Sequence, residues 1–370
     1  MRFTPALCHT RQTGLLPMKL IDCDVHNAIR SWGEDIAPRL PAALRSRGNL
    51  YPGQAGFGSP IGVNRADTTP PGGGPPASDP AYLARHHLDK YGINIAVLTG
   101  SGILGYGVSA DYRYAAGVVR AYNDWMVEVW LDSGVDERFR GSVLVTPQWP
   151  EAAVKEIKRL GGHKKIVQVI MCSASRMPLG HVQFWPIYEA ACEMGLPVAV
   201  HPGQEGNGIS VQPTPAGYPS SYFEWHNGLS QHYMAQVNSL VCEGVFVQFP
   251  QLKFVAIEGG IGWLPHLMWR MDKNWKALRA TVPWLTEPPS HYILNHVRLT
   301  SQPIEEPDDP RHLLAMFEMM QARRTLLFSS DYPHWDFDDP KHAFPKMDEE
   351  TRDRVYWRNA ADLYQPEGVA

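Results

Sequence analysis

Short apolar runs alternate with longer amphipathic ones along the whole chain. The short runs, rich in Val, Ile and Leu, fall at residues 19–26, 94–99, 141–145, 166–172, 197–201, 253–258, 296–300 and 325–331. Runs of this length between turn signals predict strands, and near-continuous apolarity predicts strands covered on both faces. Residues 112–133, 151–160, 185–193 and 310–322 instead place apolar positions three and four apart, which predicts helices. Eight strands alternating with helices predict an α/β fold, a (β/α)8 TIM barrel formed by residues 18–370 as a single domain. A doubly wound sheet is the competing arrangement, but no glycine-rich phosphate loop follows the first strand.

Two stretches interrupt this rhythm. Residues 51–81 are rich in Gly, Pro and Ser, including the run from Pro70 to Pro76, and residues 203–221 have similar character. Both follow strands, so in a barrel they sit at the C-terminal mouth and are expected as long loop insertions covering a site. Residues 1–17 read as a loose N-terminal extension. They carry Arg2 and Arg11 but no apolar core of a secretory signal.

With 44% hydrophobic and 19% charged residues among 370, the composition is that of an ordinary globular protein. A net charge of -4 gives no electrostatic attraction to nucleic acid or to an anionic membrane, and no apolar stretch is long enough to span a bilayer. Cys8, Cys23, Cys172, Cys192 and Cys242 are scattered without a C-x-x-C pair, so they are expected as reduced thiols in a cytoplasmic protein. The high aromatic content suits a pocket for a small organic molecule, although core packing accounts for most aromatic residues in most proteins.

The ends of the strands carry the candidate chemistry. The first run closes on Asp22-Cys23-Asp24-Val25-His26, and strand alternation puts Asp24 and His26 on one face, about 7 Å apart. The fifth ends in His201, the sixth in Glu258 before Gly259-Gly260, and the eighth in Asp331 followed by His334. Singly, each has an ordinary reading: a hydrogen-bonded histidine, a helix-capping carboxylate, a turn-shaping aspartate. Jointly, they converge at a barrel mouth and point to a divalent metal site.

With these strand ends, the segments Phe249-Pro250-Gln251-Leu252-Lys253, Gly262-Trp263-Leu264-Pro265 with Arg270 and Asp272, and Trp357 to Tyr364 resemble the amidohydrolase superfamily. The resemblance is to the branch that includes aminocarboxymuconate-semialdehyde, resorcylate and carboxyvanillate decarboxylases, and it runs from Met18 to the C-terminus. It implies that Asp24, His26, His201 and Asp331 are metal ligands. Asp24 stands where relatives carry His or Glu, and strand four offers Met171 and Cys172 in place of a carbamate-forming lysine. Relatives that decarboxylate place a histidine where this chain has Glu258. A glutamate beside a cation is ionised and is a poor proton donor.

Hydrolysis by metal-activated water, with Glu258 or Asp331 as base and His334 as a further catalytic candidate, is therefore expected ahead of decarboxylation of an aromatic or carboxylated substrate. Glu258 and His334, with His226 or His232, also supply enough ligands for two metals, which opens a dinuclear iron or iron–manganese oxygenase as the alternative. Zinc is expected in a mononuclear site, iron or manganese in a dinuclear one. Arg270 either pairs with Asp272 or grips a substrate carboxylate. An inactive subunit partnering a homologue is the remaining alternative, and a homo-oligomer or a hetero-oligomer with such a homologue is expected.

Overall fold

The computed structural model describes residues 19–51, 59 and 62–366. Eight parallel strands follow one another around a sheet in chain order: β1 (Ile21–Val25), β2 (Ile95–Leu98), β3 (Phe139–Leu144), β4 (Ile166–Cys172), β5 (Val198–His201), β6 (Phe254–Ala256), β7 (Val297–Thr300) and β8 (Leu326–Leu327). Each pairs with the next, in registers such as Met171 with Val200 and Cys172 with His201. All eight strands are buried along their length except Arg298 in β7. This explains why the sequence shows continuous apolar runs there rather than alternation. The architecture is the expected TIM barrel. The N-terminal extension and Cys8 lie outside the described residues.

The outer helices form where the spacing predicts, at Tyr112–Met126, Pro150–Leu160, Trp185–Glu193 and Pro310–Met319. Asp111 and Asp309 cap the first and last of these by accepting from Tyr114 N and Arg311 N. The helix at 112 ends earlier than expected, because its last turn widens into a π turn at Val127–Leu131. Cys23 and Cys172 are buried free thiols, and burial pushes Cys172 up to about 12, which keeps it unreactive.

The last strand departs most from expectation, since only two residues of the 325–331 run join the ladder. Beyond Leu327 the chain bends to close the barrel against β1 by other means. Cys23 N donates to Phe328 O (3.0 Å) and His26 N to Tyr332 O (2.8 Å). The carboxyl of fully buried Asp22 accepts from Ser330 N (2.9 Å), Ser330 Oγ (2.5 Å) and His87 Nε2 (2.8 Å). The seam between first and last strands is thus held by two backbone bonds and by one side chain, Asp22.

Candidate metal centre

Four strand ends bring five side chains to one point. Asp24 is on β1, His26 just beyond it, and His201 closes β5. Glu258 and Asp331 follow β6 and β8, both in the left-handed region with φ of 58°. That conformation costs a non-glycine residue energy and persists only where the surroundings over-determine it. Here Glu258 N donates to Thr300 Oγ1 (3.0 Å), and Asp331 sits next to the Asp22-bound Ser330. One ligand atom from each of Asp24, His26, His201, Glu258 and Asp331 lies within 4.8 Å of all the others, and all five residues are buried.

The hydrogen bonds around the two histidines fix which nitrogen faces the cluster. His26 Nδ1 lies 2.5 Å from Gly100 O, and His201 Nδ1 lies 2.9 Å from Pro202 O. A carbonyl only accepts, so each Nδ1 carries the hydrogen and each Nε2 presents a lone pair in the neutral ring. These two Nε2 atoms are 3.2 Å apart. His26 Nε2 is also 2.9 Å from Asp331 Oδ1, and His201 Nε2 is 2.9 Å from Glu258 Oε2. Asp24 Oδ2 and Asp331 Oδ1 are buried without a hydrogen-bond donor, while Thr99 Oγ1 donates to Asp24 Oδ1 (2.6 Å). Lone pairs and carboxylate oxygens converging without donors between them fit a divalent cation, and carbonyl-oriented imidazoles are the usual outer support of one.

The charges point the same way. Burial and the neighbouring Asp331 raise the Glu258 carboxyl, against the pull of His201. Burial disfavours a charged His201, but Glu258 and Asp24 outweigh it and hold its pKa well above the ordinary value. Three carboxyl groups packed together repel one another, and a positive charge at their centre relieves that repulsion.

His334 lies beside this group. Its Nδ1 hydrogen-bonds Asp331 Oδ2 (2.9 Å), and its ring centre is 4.2 Å from that of His26. Burial disfavours its charged form, but Asp331, Glu258 and Asp24 prevail and push it up to about 9. His226 and His232 lie outside the five-residue group. His226 faces Asp336 (3.4 Å), and His232 lines a separate recess with Ser173 and Glu205. Arg270 is exposed on the helix Trp263–Leu278, and Asp272 accepts from Ser290 N instead.

A cavity of about 340 Å³ opens above the cluster, in contact with His26, His201, Glu258 and His334. Both long loops contribute to it: Tyr51, Val63 and Asn64 from the first, and Gly203, Gln204, Glu205 and Asn207 from the second. Part of the first loop lies outside the described residues. Tyr222 and Trp225 add aromatic faces, and the described lining holds no lysine or arginine. Thr99, Thr300, Gln204 and Glu205 belong to no recognisable motif in the sequence. Only the loop position of the last two could have drawn attention to them.

Asp338 is half-buried, with its Oδ2 shielded from solvent and unpartnered. Burial, then Glu306 and Asp336, push its carboxyl from 3.8 up to about 7. The folded chain therefore keeps a proton that the unfolded chain has already lost, and stability from this group is present at low pH and lost as pH rises to about 7. Asp338→Asn should raise the melting temperature by an increment that grows from about pH 4 to about pH 7 and is constant above. An increment equal at both ends of that range would exclude this origin.

The amidohydrolase family model matches residues 21–365. A gamma-resorcylate decarboxylase from a Polaromonas species is 24% identical over 305 residues, covering 75% of this chain and 85% of that protein. Among solved structures, an amidohydrolase from Mycobacterium avium subsp. paratuberculosis superposes with a TM-score of 0.70 at 19% identity, covering 95% of this chain and all of that one (100%). A 5-carboxyvanillate decarboxylase from Novosphingobium aromaticivorans, complexed with manganese and 4-hydroxy-3-methoxy-5-nitrobenzoic acid, gives 0.68 at 18% identity, covering 94% of this chain and 96% of that one. No helix among the described residues is long and apolar enough to cross a membrane.

Proposed function

The chain belongs to the amidohydrolase family, and on that premise we propose that it is a metal-dependent carboxy-lyase whose substrate is an aromatic carboxylate with a hydroxyl group beside the carboxyl. The observation carrying this reading is the pair of donor-free Nε2 atoms 3.2 Å apart among three buried carboxyl groups, at the floor of an aromatic-walled cavity. With no lysine or arginine in the described lining, the counter-charge for a substrate carboxylate falls to the metal centre and His334. The named activities of the relatives are decarboxylations, so the expectation that hydrolysis comes first finds no support among them. Three carboxylate and two imidazole donors suit manganese, which one relative holds, at least as well as zinc. Asp24, His26, His201, Glu258 and Asp331 would hold it. When bound, the cation would neutralise the substrate's carboxylate and neighbouring oxygen and fix the ring's orientation.

The chain's own residues then divide the remaining work. Glu258, packed against His201, serves as a ligand, which removes the objection that it is a poor proton donor. The proton that replaces the carboxyl group must reach the ring carbon, whose bond to the carboxyl breaks as carbon dioxide leaves. His334 lines the cavity with Nδ1 anchored on Asp331, leaving Nε2 as the atom that delivers it. Tyr222 and Trp225 offer faces against which a ring can stack.

The direct test is manganese-loaded protein with 2,6-dihydroxybenzoate and related hydroxybenzoates, following carbon dioxide release. Metal-dependent release supports the reading, while ester or amide cleavage without carbon dioxide would return it to hydrolysis. His334→Gln should lower kcat on the order of 100-fold, the lower end of general-acid effects, and leave metal content unchanged. Unchanged kcat would remove His334 from proton transfer.

A further inference from the structure

The opposite end of the barrel carries a second, unrelated cavity of about 510 Å³. It lies where β5, β6 and β7 begin and is bordered by the C-terminal helical segments. Five cations line it, Lys253, Arg298, Arg323, Arg324 and Arg354, against two acids, Glu350 and Asp362. Both acids are already engaged: Glu350 pairs with Arg323 (2.8 Å) and Asp362 with Arg354 (2.8 Å). Lys253, Arg298 and Arg324 are left without a carboxylate within ion-pair distance among the described residues.

Those three crowd one place, the C-terminal end of the helix Pro289–His296. Lys253 Nζ donates to Asn295 O (2.8 Å), Arg298 donates to Val297 O (2.8 Å) and Leu294 O (3.3 Å), and Arg324 donates to Asn295 Oδ1. A helix C-terminus carries only about half a negative charge, so it offsets a fraction of one cation. Burial, and then mutual repulsion, depress both Lys253 and Arg298. A chain whose net charge is -4 thus concentrates uncompensated positive charge in one cavity of small-molecule size.

We infer that this cavity binds a compact polyanion, either a phosphate-bearing or a multiply carboxylated small molecule, on the face opposite the metal centre. Arginine forks match phosphate and carboxylate oxygens in pairs, and Arg298 and Arg354, which are half-buried, strengthen such contacts by excluding water. The bound anion would relieve the repulsion among Lys253, Arg298 and Arg324.

Calorimetric titration of the full chain with pyrophosphate and with citrate tests this, compared with Arg324→Gln. Arg324 is exposed, so the variant is expected to fold, and it leaves the metal centre untouched. Binding of either anion that weakens at least tenfold in Arg324→Gln supports the inference. Binding of pyrophosphate alone assigns the phosphate class, and binding of citrate alone the carboxylate class. Binding equal in both proteins would place the anion elsewhere, such as at the metal, and overturn the inference, as would no binding. Glu367 follows the lining residue Gln365 by two positions. Binding seen only after removal of residues 367–370 would make the cavity the chain's own tail site and would also overturn it.

Discussion

Replacing His201 with alanine is expected to lower metal affinity by more than about 100-fold and activity on the order of 1,000-fold. Loss of an outer partner of a metal ligand already costs roughly 10–100-fold in affinity, and in the proposed centre His201 would supply a donor atom itself. The electrostatic contribution of a catalytic metal is several kcal/mol, and each ~1.4 kcal/mol is tenfold in rate. Removing the imidazole also leaves Glu258 Oε2 without its 2.9 Å neighbour inside a group of buried carboxyl oxygens. Metal content after dialysis, read by mass spectrometry, decides the matter, with circular dichroism to confirm the fold. Stoichiometric metal in a folded His201→Ala protein would contradict the ligand role.

The second large effect concerns a residue that touches no substrate. Asp22→Ala is expected to destabilise the folded chain by about 3–5 kcal/mol, the usual penalty for removing one partner of a buried charged network. Ser330 N, Ser330 Oγ and His87 Nε2 would all lose the oxygen they now bond, inside fully buried surroundings. Because Ser330 adjoins Asp331, metal affinity should fall as well, by roughly 10–100-fold. Urea unfolding followed by tryptophan fluorescence measures the first effect and metal titration the second. Should Asp22→Ala fail to accumulate, Ser330→Ala removes one bond of the set and should cost about 1 kcal/mol. An unmoved transition in both variants would show that the seam is held by other means.

Much of this site was open to reading along the chain. The apolar runs ending in His26, His201, Glu258 and Asp331 lie at strand ends because burial on both faces leaves a strong hydrophobic signature, and the barrel then brings its ends together. The apolar pattern overextends strand eight because Phe328 is as apolar as a strand residue, yet its amide bonds Val355 O rather than the ladder. His226 and His232 looked like candidates by residue type alone. Their distance from the cluster depends on how the 203–221 loop re-enters the helix at Tyr222, which no local pattern encodes. Glu258 was legible as a carboxylate but not as His201's neighbour, since its left-handed backbone turns it there. Thr99 and Thr300, which steady Asp24 and Glu258, have no sequence signal at all.

The seam between β1 and β8 has a topological consequence. Ser330 and Asp22 are 308 residues apart, and Asp24, His26 and Asp331 from the same two segments meet in the candidate metal centre. A cation bound there would bridge parts of the chain that lie near its two ends. The site exists only when both segments are folded together, so the unfolded chain offers the cation nothing equivalent. Binding to the folded form alone then adds stability in proportion to the logarithm of free metal concentration. Thermal resistance of this barrel should therefore track metal supply, making the melting temperature itself a gauge of occupancy.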